Sequence, residues 1–333
     1  MNLETALTKQ FVTGGWDVNA ARLSGGLEAA GIGGAKRVDM IASVTKIYTA
    51  TIFLRLQETG ELSLDDPVSK WLPEVVASVS RQGNSVALTL RHLLSHSSGI
   101  PNYYRSLALK KTQTELEIAT DPGWDFERAM SLAATGRPKS FPTARADYSF
   151  TNYQLLDRVL LIVAGGFATA LRELITSPLG LEDTWVLSMK NLADFDQATP
   201  LHFGETRYLG ARRLASLGAE GGMIASQSDV ANFMSALFQD KIITNAFGQM
   251  MANPRPLFPG VDYGLGLMSF SKLITGRRGV VGHLGATGSV AAYHPESDTA
   301  VALASNQFRS GRKPLRALRA LLLDSLDIKE LAG

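Results

Sequence analysis

Ser43 and Lys46 lie three residues apart at the start of a segment whose apolar residues recur at helical spacing as far as Gly60. Residues three apart on a helix share a face, so we expect the Ser43 hydroxyl and the Lys46 ammonium to be neighbours. A serine hydroxyl is a poor nucleophile at neutral pH and needs a base within hydrogen-bond reach. The pair therefore has the composition of a nucleophile and its base.

Lys46 can act as a base only if its proton is loosened. From a reference pKa of about 10.4, being half neutral at pH 7 requires a shift of roughly 3.4 units, which full burial can supply. The neighbours Ile47, Tyr48 and Ile52 are apolar or aromatic, and no acidic residue follows before Glu58. We therefore expect a desolvated lysine. The alternative, which the common Ser-x-x-Lys spacing alone would favour, is a solvated lysine in the first turn of a helix.

Tyr148 is the residue predicted to assist Lys46. It stands just before an apolar segment that is expected to form a helix ending near Gly165. A phenol is easier to ionise beside an ammonium group, so the sequence predicts that Tyr148 and Lys46 share the handling of one proton. The alternative is a core tyrosine whose hydroxyl caps the helix.

Composition limits the classes of function. The chain has 333 residues, of which 45% are hydrophobic and 19% charged, and this is enough for two lobes with substantial cores. A formal charge of +2 gives no strong field that would attract nucleic acid or a membrane. Because cysteine is absent, disulfides, thiolate metal sites and a cysteine nucleophile are excluded.

The amino terminus lacks a basic segment followed by an apolar core, so no signal peptide is predicted. No window of about 18 uninterrupted apolar residues indicates a membrane span. The expected location is therefore the cytoplasm, although an exported protein trimmed of its signal would have the same sequence.

The last hundred residues contain short apolar runs separated by turn residues, at 263–267, 279–286, 289–294 and 299–306. This pattern predicts consecutive antiparallel strands. From Pro314 onward, leucines share one face of a predicted helix, which we expect to pack on that sheet.

The chain carries three short motifs in a fixed order. They are Ser43-x-x-Lys46, Tyr148-Ser149-x and His283-x-Gly285. Together with the segments 93–99, 221–223 and 263–266, these motifs make roughly residues 38 to 310 resemble the serine beta-lactamase and penicillin-binding-protein superfamily. Within it, the likeness is greatest to class C beta-lactamases, family VIII carboxylesterases and D-amino-acid peptidases.

The resemblance implies an α/β fold of the α+β type, in which an antiparallel sheet is flanked by helices and a mainly helical lobe is inserted. Residues 1–60 and 226–333 would form the sheet domain, and residues 61–225 the helical domain. The sheet would combine the N-terminal strands with the C-terminal quarter of the chain.

The resemblance also implies a mechanism that needs no metal or cofactor. Ser43 would attack an ester or amide carbonyl, and Lys46 and Tyr148 would manage the protons. The backbone N–H groups of Ser43 and Ala286 would form the oxyanion hole. His283 would lie across the cleft from Ser43.

The substrate-binding residues predicted beside His283 and Ala286 are Gly285, Phe150 and Tyr103. Phe150 occupies the position where many relatives have an asparagine that contacts an acylamino group, and a phenyl ring cannot make that hydrogen bond. His283 replaces a lysine found in many lactamases and is mostly neutral at pH 7, so a substrate carboxylate is held less firmly. Both departures favour esters.

The predicted function is a serine hydrolase acting on small carboxylic esters, with weak beta-lactam hydrolysis as a side activity. Two alternatives remain open: an acyltransferase or D-amino-acid amidase or peptidase, and a non-catalytic binding or scaffold protein on the same fold. The expected partner is a small-molecule ester or amide, with no nucleic acid and no membrane span.

Overall fold

The computed structural model of the protein describes residues 3–11, 16–79, 87–107, 120–308 and 310–324. Its α-helices are α1 Leu3–Phe11, α2 Thr45–Glu58, α3 Pro73–Val79, α4 Leu90–Leu94, α5 Tyr104–Leu107, α6 Phe126–Ala134, α7 Phe150–Val163, α8 Phe167–Leu171, α9 Ser177–Leu179, α10 Ala211–Ala215, α11 Gln227–Phe238, α12 Ala246–Met250, α13 Lys272–Thr275 and α14 Lys313–Asp324. Its strands are β1 Val18–Leu23, β2 Leu27–Ile32, β3 Val38–Met40, β4 Thr184–Val186, β5 His202–Phe203, β6 Thr206–Arg207, β7 Met223–Ser226, β8 Arg255–Phe258, β9 Val261–Tyr263, β10 Met268–Phe270, β11 Val281–Leu284, β12 Ser289–His294 and β13 Thr299–Ala304.

Eight strands form the main sheet, in the order β2-β1-β13-β12-β11-β10-β9-β8. All of its pairings are antiparallel, and β1 pairs with β13 so that Asn19 lies opposite Ala304. The first strands of the chain therefore complete a sheet begun by the last ones, which confirms the predicted fold class. The predicted strand at 263–267 differs, because β9 ends at Tyr263 and the following residues turn into β10.

Helices cover both faces of this sheet. All six residues of β13 are buried, as expected for a strand with a packed layer on each side. Helix α11 packs against β1, β12 and β13, while α1 packs against β1 and α14 against β12 and β13, where Leu7, Phe11 and Leu318 join a second apolar cluster. The helix predicted after Pro314 thus packs on the sheet.

Between α2 and α11 the regular elements are mainly helices, and the strands β4 and β7 of this segment join β3, which precedes α2, in a three-stranded sheet of order β3-β7-β4. No single helix among the described residues is long and apolar enough to cross a membrane, although the bent pair Phe150–Val163 and Phe167–Leu179 passes that test jointly. The division into two domains at residues 60 and 225 stays a prediction.

Helix α2 is buried on every side. Each residue from Thr45 to Leu54 is buried, so a lysine in its first turn has no route to solvent along the helix surface. The turn after β9 lies directly against this helix at Gly266, whose φ is +64°. A Cβ there would lie 2.6 Å from the carbonyl oxygen of Lys46, so the close approach requires glycine.

Candidate active site

Ser43 lies in a single tight turn, Ala42–Val44, that joins β3 to α2. Its side chain is 7% exposed, and its Oγ lies 3.2 Å from Nζ of Lys46. The predicted proximity of the two side chains is therefore present. Ala42 adopts a left-handed φ of +45°, which is uncommon for a residue with a Cβ and marks strain in this turn.

The turn between β11 and β12, with the first residue of β12, contacts the Ser43 turn and holds it in place. Ser289 donates a hydrogen bond to the Ile41 carbonyl at 2.7 Å, and Thr287 donates one to the Met40 carbonyl at 2.7 Å. A Cβ on Gly285 would lie 2.7 Å from the Ile41 carbonyl oxygen. Gly285 thus permits close approach of two backbone segments.

Lys46 is fully buried, and Nζ donates to Ser43 Oγ and to the backbone carbonyl of Glu220. Nζ also lies 4.7 Å from the centre of the Phe150 ring and 5.1 Å from that of Tyr148. In the part of the chain that the structure describes, no carboxylate forms an ion pair with it. Burial lowers the pKa of Lys46 to about 7, and the nearby Glu220 charge partly opposes that shift.

Glu220 is the acidic residue whose charge acts on the pKa of Lys46, and it was not predicted from the sequence. Its carboxyl is fully buried, and burial raises its pKa to about 8, with the Lys46 charge opposing the rise. Tyr103 donates a hydrogen bond to Glu220 Oε1 and accepts one from Trp124 Nε1 at 3.0 Å. Tyr103, predicted to contact substrate, is therefore fully buried behind the site.

Tyr148 is half-buried and lies beside Lys46, as expected from the motif order. Burial raises the pKa of Tyr148 well above its ordinary value, and hydrogen bonding to Ser43 only partly opposes the rise. The prediction that Lys46 would make this phenol easier to ionise is wrong, because burial has the largest effect on the pKa and the nearby Tyr153 and Glu220 raise it further. Lys46, whose pKa is lowered, is therefore the group that can lose its proton near neutral pH, and Tyr148 stays protonated.

His283 lies behind Tyr148 and is fully buried. Its Nδ1 lies 2.8 Å from the Leu284 carbonyl, so Nδ1 carries the proton and Nε2 accepts from the Tyr263 hydroxyl at 3.2 Å. Burial and the Lys46 charge lower the pKa of His283 to about 3. The ring is neutral, as the sequence predicted, but it does not line the Ser43 cavity.

His96 and Asn152 form a further buried layer. Asn152 Nδ2 lies 3.0 Å from His96 Nδ1, and the Ser98 hydroxyl donates to Asn152 Oδ1 at 2.6 Å. The His96 ring packs against Tyr148, with 4.3 Å between ring centres. The pair orients Tyr148 from behind.

A cavity of about 60 Å³ opens at Ser43. Its lining consists of Ala42, Ser43, Tyr104, Phe150, Tyr208, Arg213, Leu214, Leu217, Gly221, Ala286, Thr287 and Phe308. Of the predicted binding residues, Phe150 and Ala286 lie in this wall, whereas His283, Gly285 and Tyr103 do not. A larger cavity of about 710 Å³ lies beyond Trp124 and does not include Ser43.

Two backbone donors in this wall are available. In the described ranges, neither the N–H of Ser43 nor that of Ala286 donates a hydrogen bond to another protein group. Both residues line the cavity, so these two N–H groups are the candidates for binding a substrate oxygen there. Among the described residues, no group of three His, Asp or Glu side chains is placed to hold a metal ion.

Comparison with known proteins identifies the family. The family model described as Beta-lactamase matches residues 35–324. The chain belongs to the beta-lactamase family. Its fold is that of the beta-lactamases and penicillin-binding proteins, which confirms the resemblance stated from the motifs.

Two curated relatives illustrate the range within this family. The chain is 27% identical over 263 residues to Penicillin-binding protein 4* of Bacillus subtilis, covering 74% of this chain and 54% of that protein. It is 34% identical over 172 residues to Esterase EstB of Burkholderia gladioli, covering 50% and 42%. The chain thus spans about half the length of the curated relatives it matches.

Solved structures agree over almost the whole chain. A D-stereospecific amidohydrolase from Streptomyces superposes with a TM-score of 0.73 at 27% identity, covering 94% of this chain and 97% of that one. The D-amino acid amidase of Ochrobactrum anthropi SV3 gives a TM-score of 0.78 at 22% identity, covering 98% and 100%. At that identity, the second similarity shows the fold alone.

Proposed function

We propose that this chain is a serine hydrolase that forms an acyl-enzyme on Ser43 and hydrolyses small carboxylic esters. One observation carries the proposal: the Ser43 hydroxyl lies 3.2 Å from a fully buried amine whose pKa burial lowers to about 7. An amine in this state is partly neutral at neutral pH and can accept a proton from the adjacent hydroxyl.

The residues support a two-step reaction. As Ser43 Oγ bonds to the ester carbonyl carbon, its proton passes to neutral Lys46. The carbonyl oxygen becomes an oxyanion facing the N–H groups of Ser43 and Ala286, and each such donor is worth about 10²- to 10³-fold in rate. The carbon–alkoxide bond then breaks, and the leaving alkoxide takes a proton from the protonated Tyr148 hydroxyl, which Lys46 reprotonates. In the second step, water attacks the carbonyl carbon of the acyl-enzyme, its proton passes to neutral Lys46, and the bond to Ser43 Oγ breaks. Ser43 regains a proton, and the carboxylic acid is released.

The preference for esters rests on the cavity wall. Phe150 stacks on Tyr104, with 4.6 Å between ring centres, and presents a phenyl face where an acylamino group would need a hydrogen bond. The cavity of about 60 Å³ accommodates a short acyl group. Similarity to Esterase EstB supports the same preference.

The second candidate is a D-amino-acid amidase, favoured by the Streptomyces amidohydrolase at 27% identity. The free ammonium group of such a substrate needs a carboxylate partner. No Asp or Glu lies in the described wall of the Ser43 cavity, and the nearby Asp121 is paired with Arg213. The wall therefore supports an uncharged ester better.

The test compares nitrophenyl acetate and nitrophenyl butyrate with D-phenylalanine amide, using the parent protein and a Ser43→Ala variant. We expect turnover of the esters and a loss of at least about 10³-fold in kcat on removing the hydroxyl. Ser78→Ala, at an exposed site, is the matched control and retains full activity. Ester turnover that survives Ser43→Ala would end the proposal, and labelling of no residue by a phosphonate would favour a non-catalytic protein.

A further inference from the structure

The Ser43 cavity has a polar end that the hydrolytic steps do not use. Tyr104, Tyr208 and Arg213 lie in the same wall as Ser43, and Arg213 and Tyr208 are only 4% and 3% exposed. The rest of that wall is mainly aromatic or aliphatic. Burying polar groups is costly unless hydrogen bonds compensate, so the partners of these three groups indicate what the wall can bind.

The direction of their hydrogen bonds is fixed by chemistry. The Arg213 guanidinium donates to Asp121 Oδ2 at 2.5 Å, and its proximity to the hydroxyls of Tyr104 and Tyr208 lowers the pKa of both phenols against the larger effect of burial. A guanidinium carries only donors, so it can interact favourably only with the two tyrosine oxygens. Each hydroxyl hydrogen is then left for another acceptor. Within the described ranges, neither tyrosine hydroxyl donates to a protein atom.

The charge of this cluster is balanced. Asp121 pairs with Arg213, and the described cavity wall contains no other charged side chain. Fixed donors without net charge bind an uncharged oxygen well. They favour a carboxylate less, because no unpaired cation compensates for its desolvation.

We infer that Tyr104 and Tyr208 form a hydrogen-bond-donating subsite for a second, uncharged oxygen atom in the acyl group of the substrate. The inference rests on the proposed acyl-enzyme at Ser43, because an acyl group attached there occupies this cavity. The substrate class is a short ester with a ketone, ether or second ester oxygen in its acid part. Arg213 acts through the two tyrosines as a positioning residue.

Binding tests the subsite without turnover. In the Ser43→Ala protein, calorimetry compares methyl 4-oxopentanoate with methyl pentanoate, which differ by a ketone oxygen in place of two hydrogens. We expect about 3- to 10-fold tighter binding of the oxo ester, the effect of one hydrogen bond. Adding Tyr104→Phe and Tyr208→Phe, singly and together, keeps the rings and should bring the ratio to about 1. Tyr293→Phe, whose hydroxyl bonds to Asp298 elsewhere, is the matched control and keeps the ratio.

The corresponding nitrophenyl esters test the same preference as a ratio of kcat/KM in protein that retains Ser43. Equal binding of both methyl esters by the Ser43→Ala protein, or a ratio that stays unchanged when both tyrosines are also replaced, would overturn the subsite. Tighter binding of the free succinate monoester than of the oxo ester would overturn its uncharged character. Failure to hydrolyse any ester would instead contradict the proposed function, and the binding ratio would still decide the subsite.

Discussion

Two buried cations lie near Ser43, and their surroundings differ. Lys46 is fully buried, and no described carboxylate pairs with it, whereas Arg213 pairs with Asp121 at 2.5 Å. Burial lowers the pKa of Lys46 to about 7. For Arg213, burial is the largest single effect and acts in the same direction, but hydrogen bonding to Asp121 and electrostatic attraction by Tyr208, Tyr104 and Asp121 together outweigh it and leave the pKa above its ordinary value.

The comparison shows that burying a cation has different chemical consequences with and without a paired carboxylate. Removing a cation from water destabilises its charged form unless a counter-ion compensates. Without a close counter-ion, Lys46 becomes a base. With one, Arg213 becomes a permanent donor that orients two hydroxyls. We therefore expect proton transfer at one end of the cavity and recognition at the other.

The largest effect is expected from Lys46→Arg. Arginine keeps the positive charge but cannot be deprotonated in a protein, so it cannot accept the Ser43 proton. We expect kcat/KM for nitrophenyl butyrate to fall by at least about 10³-fold. Lys70→Arg, at an exposed ion pair with Asp66, is the matched control and should change nothing. A loss below about tenfold at position 46 would show that Lys46 is not the base.

A smaller effect is expected from Tyr148→Phe. The change removes the hydroxyl that protonates the leaving group but keeps the ring beside Lys46, so kcat should fall about 10²-fold. Because Lys46 remains the base, the rise of kcat/KM through about pH 7 should persist. Tyr153→Phe is the matched control, since its ring also lies 5.1 Å from Lys46 Nζ and its hydroxyl donates to the Leu94 carbonyl. Loss of the pH dependence in Tyr148→Phe would identify the tyrosine as the base.

The smallest effect is expected from Glu220→Gln, and it appears in the pH profile. The Glu220 charge raises the pKa of Lys46 against the larger effect of burial. Because burial raises the pKa of Glu220 to about 8, only a fraction of its carboxyl groups is charged near pH 7, so an uncharged amide should lower the pKa of Lys46 slightly and move the acid limb of kcat/KM slightly to lower pH. The measurement is kcat/KM from pH 5 to 9 for both proteins. An acid limb that stays in place would show that Glu220 does not act on Lys46.

Local patterns in the sequence predicted much of the site. The spacing of Ser43 and Lys46 in an apolar segment predicted their contact, and the short apolar runs separated by turn residues predicted the C-terminal strands, because these signals depend only on neighbouring residues. The direction of the Lys46 pKa followed from the same apolar surroundings.

Contacts between residues that are far apart in the sequence could not be predicted from these local patterns. Glu220 contacts Lys46 although the two residues are 174 positions apart in the sequence. The sequence marks Glu220 only as an acidic residue within the glycine-rich segment 218–224. Tyr103 was predicted to line the cavity, but Tyr104 does so. Adjacent residues at the start of a short helix point in different directions, and only the packed structure decides which one faces the cavity.

The rate at which a phosphonate reagent labels Ser43, followed by intact mass from pH 5 to 9, tests most directly whether a neutral lysine activates the serine. We predict labelling at Ser43 alone, with a rate that rises through a single ionisation near pH 7, where burial places the pKa of Lys46. A rate independent of pH across this range, or label found on another residue, would contradict that activation.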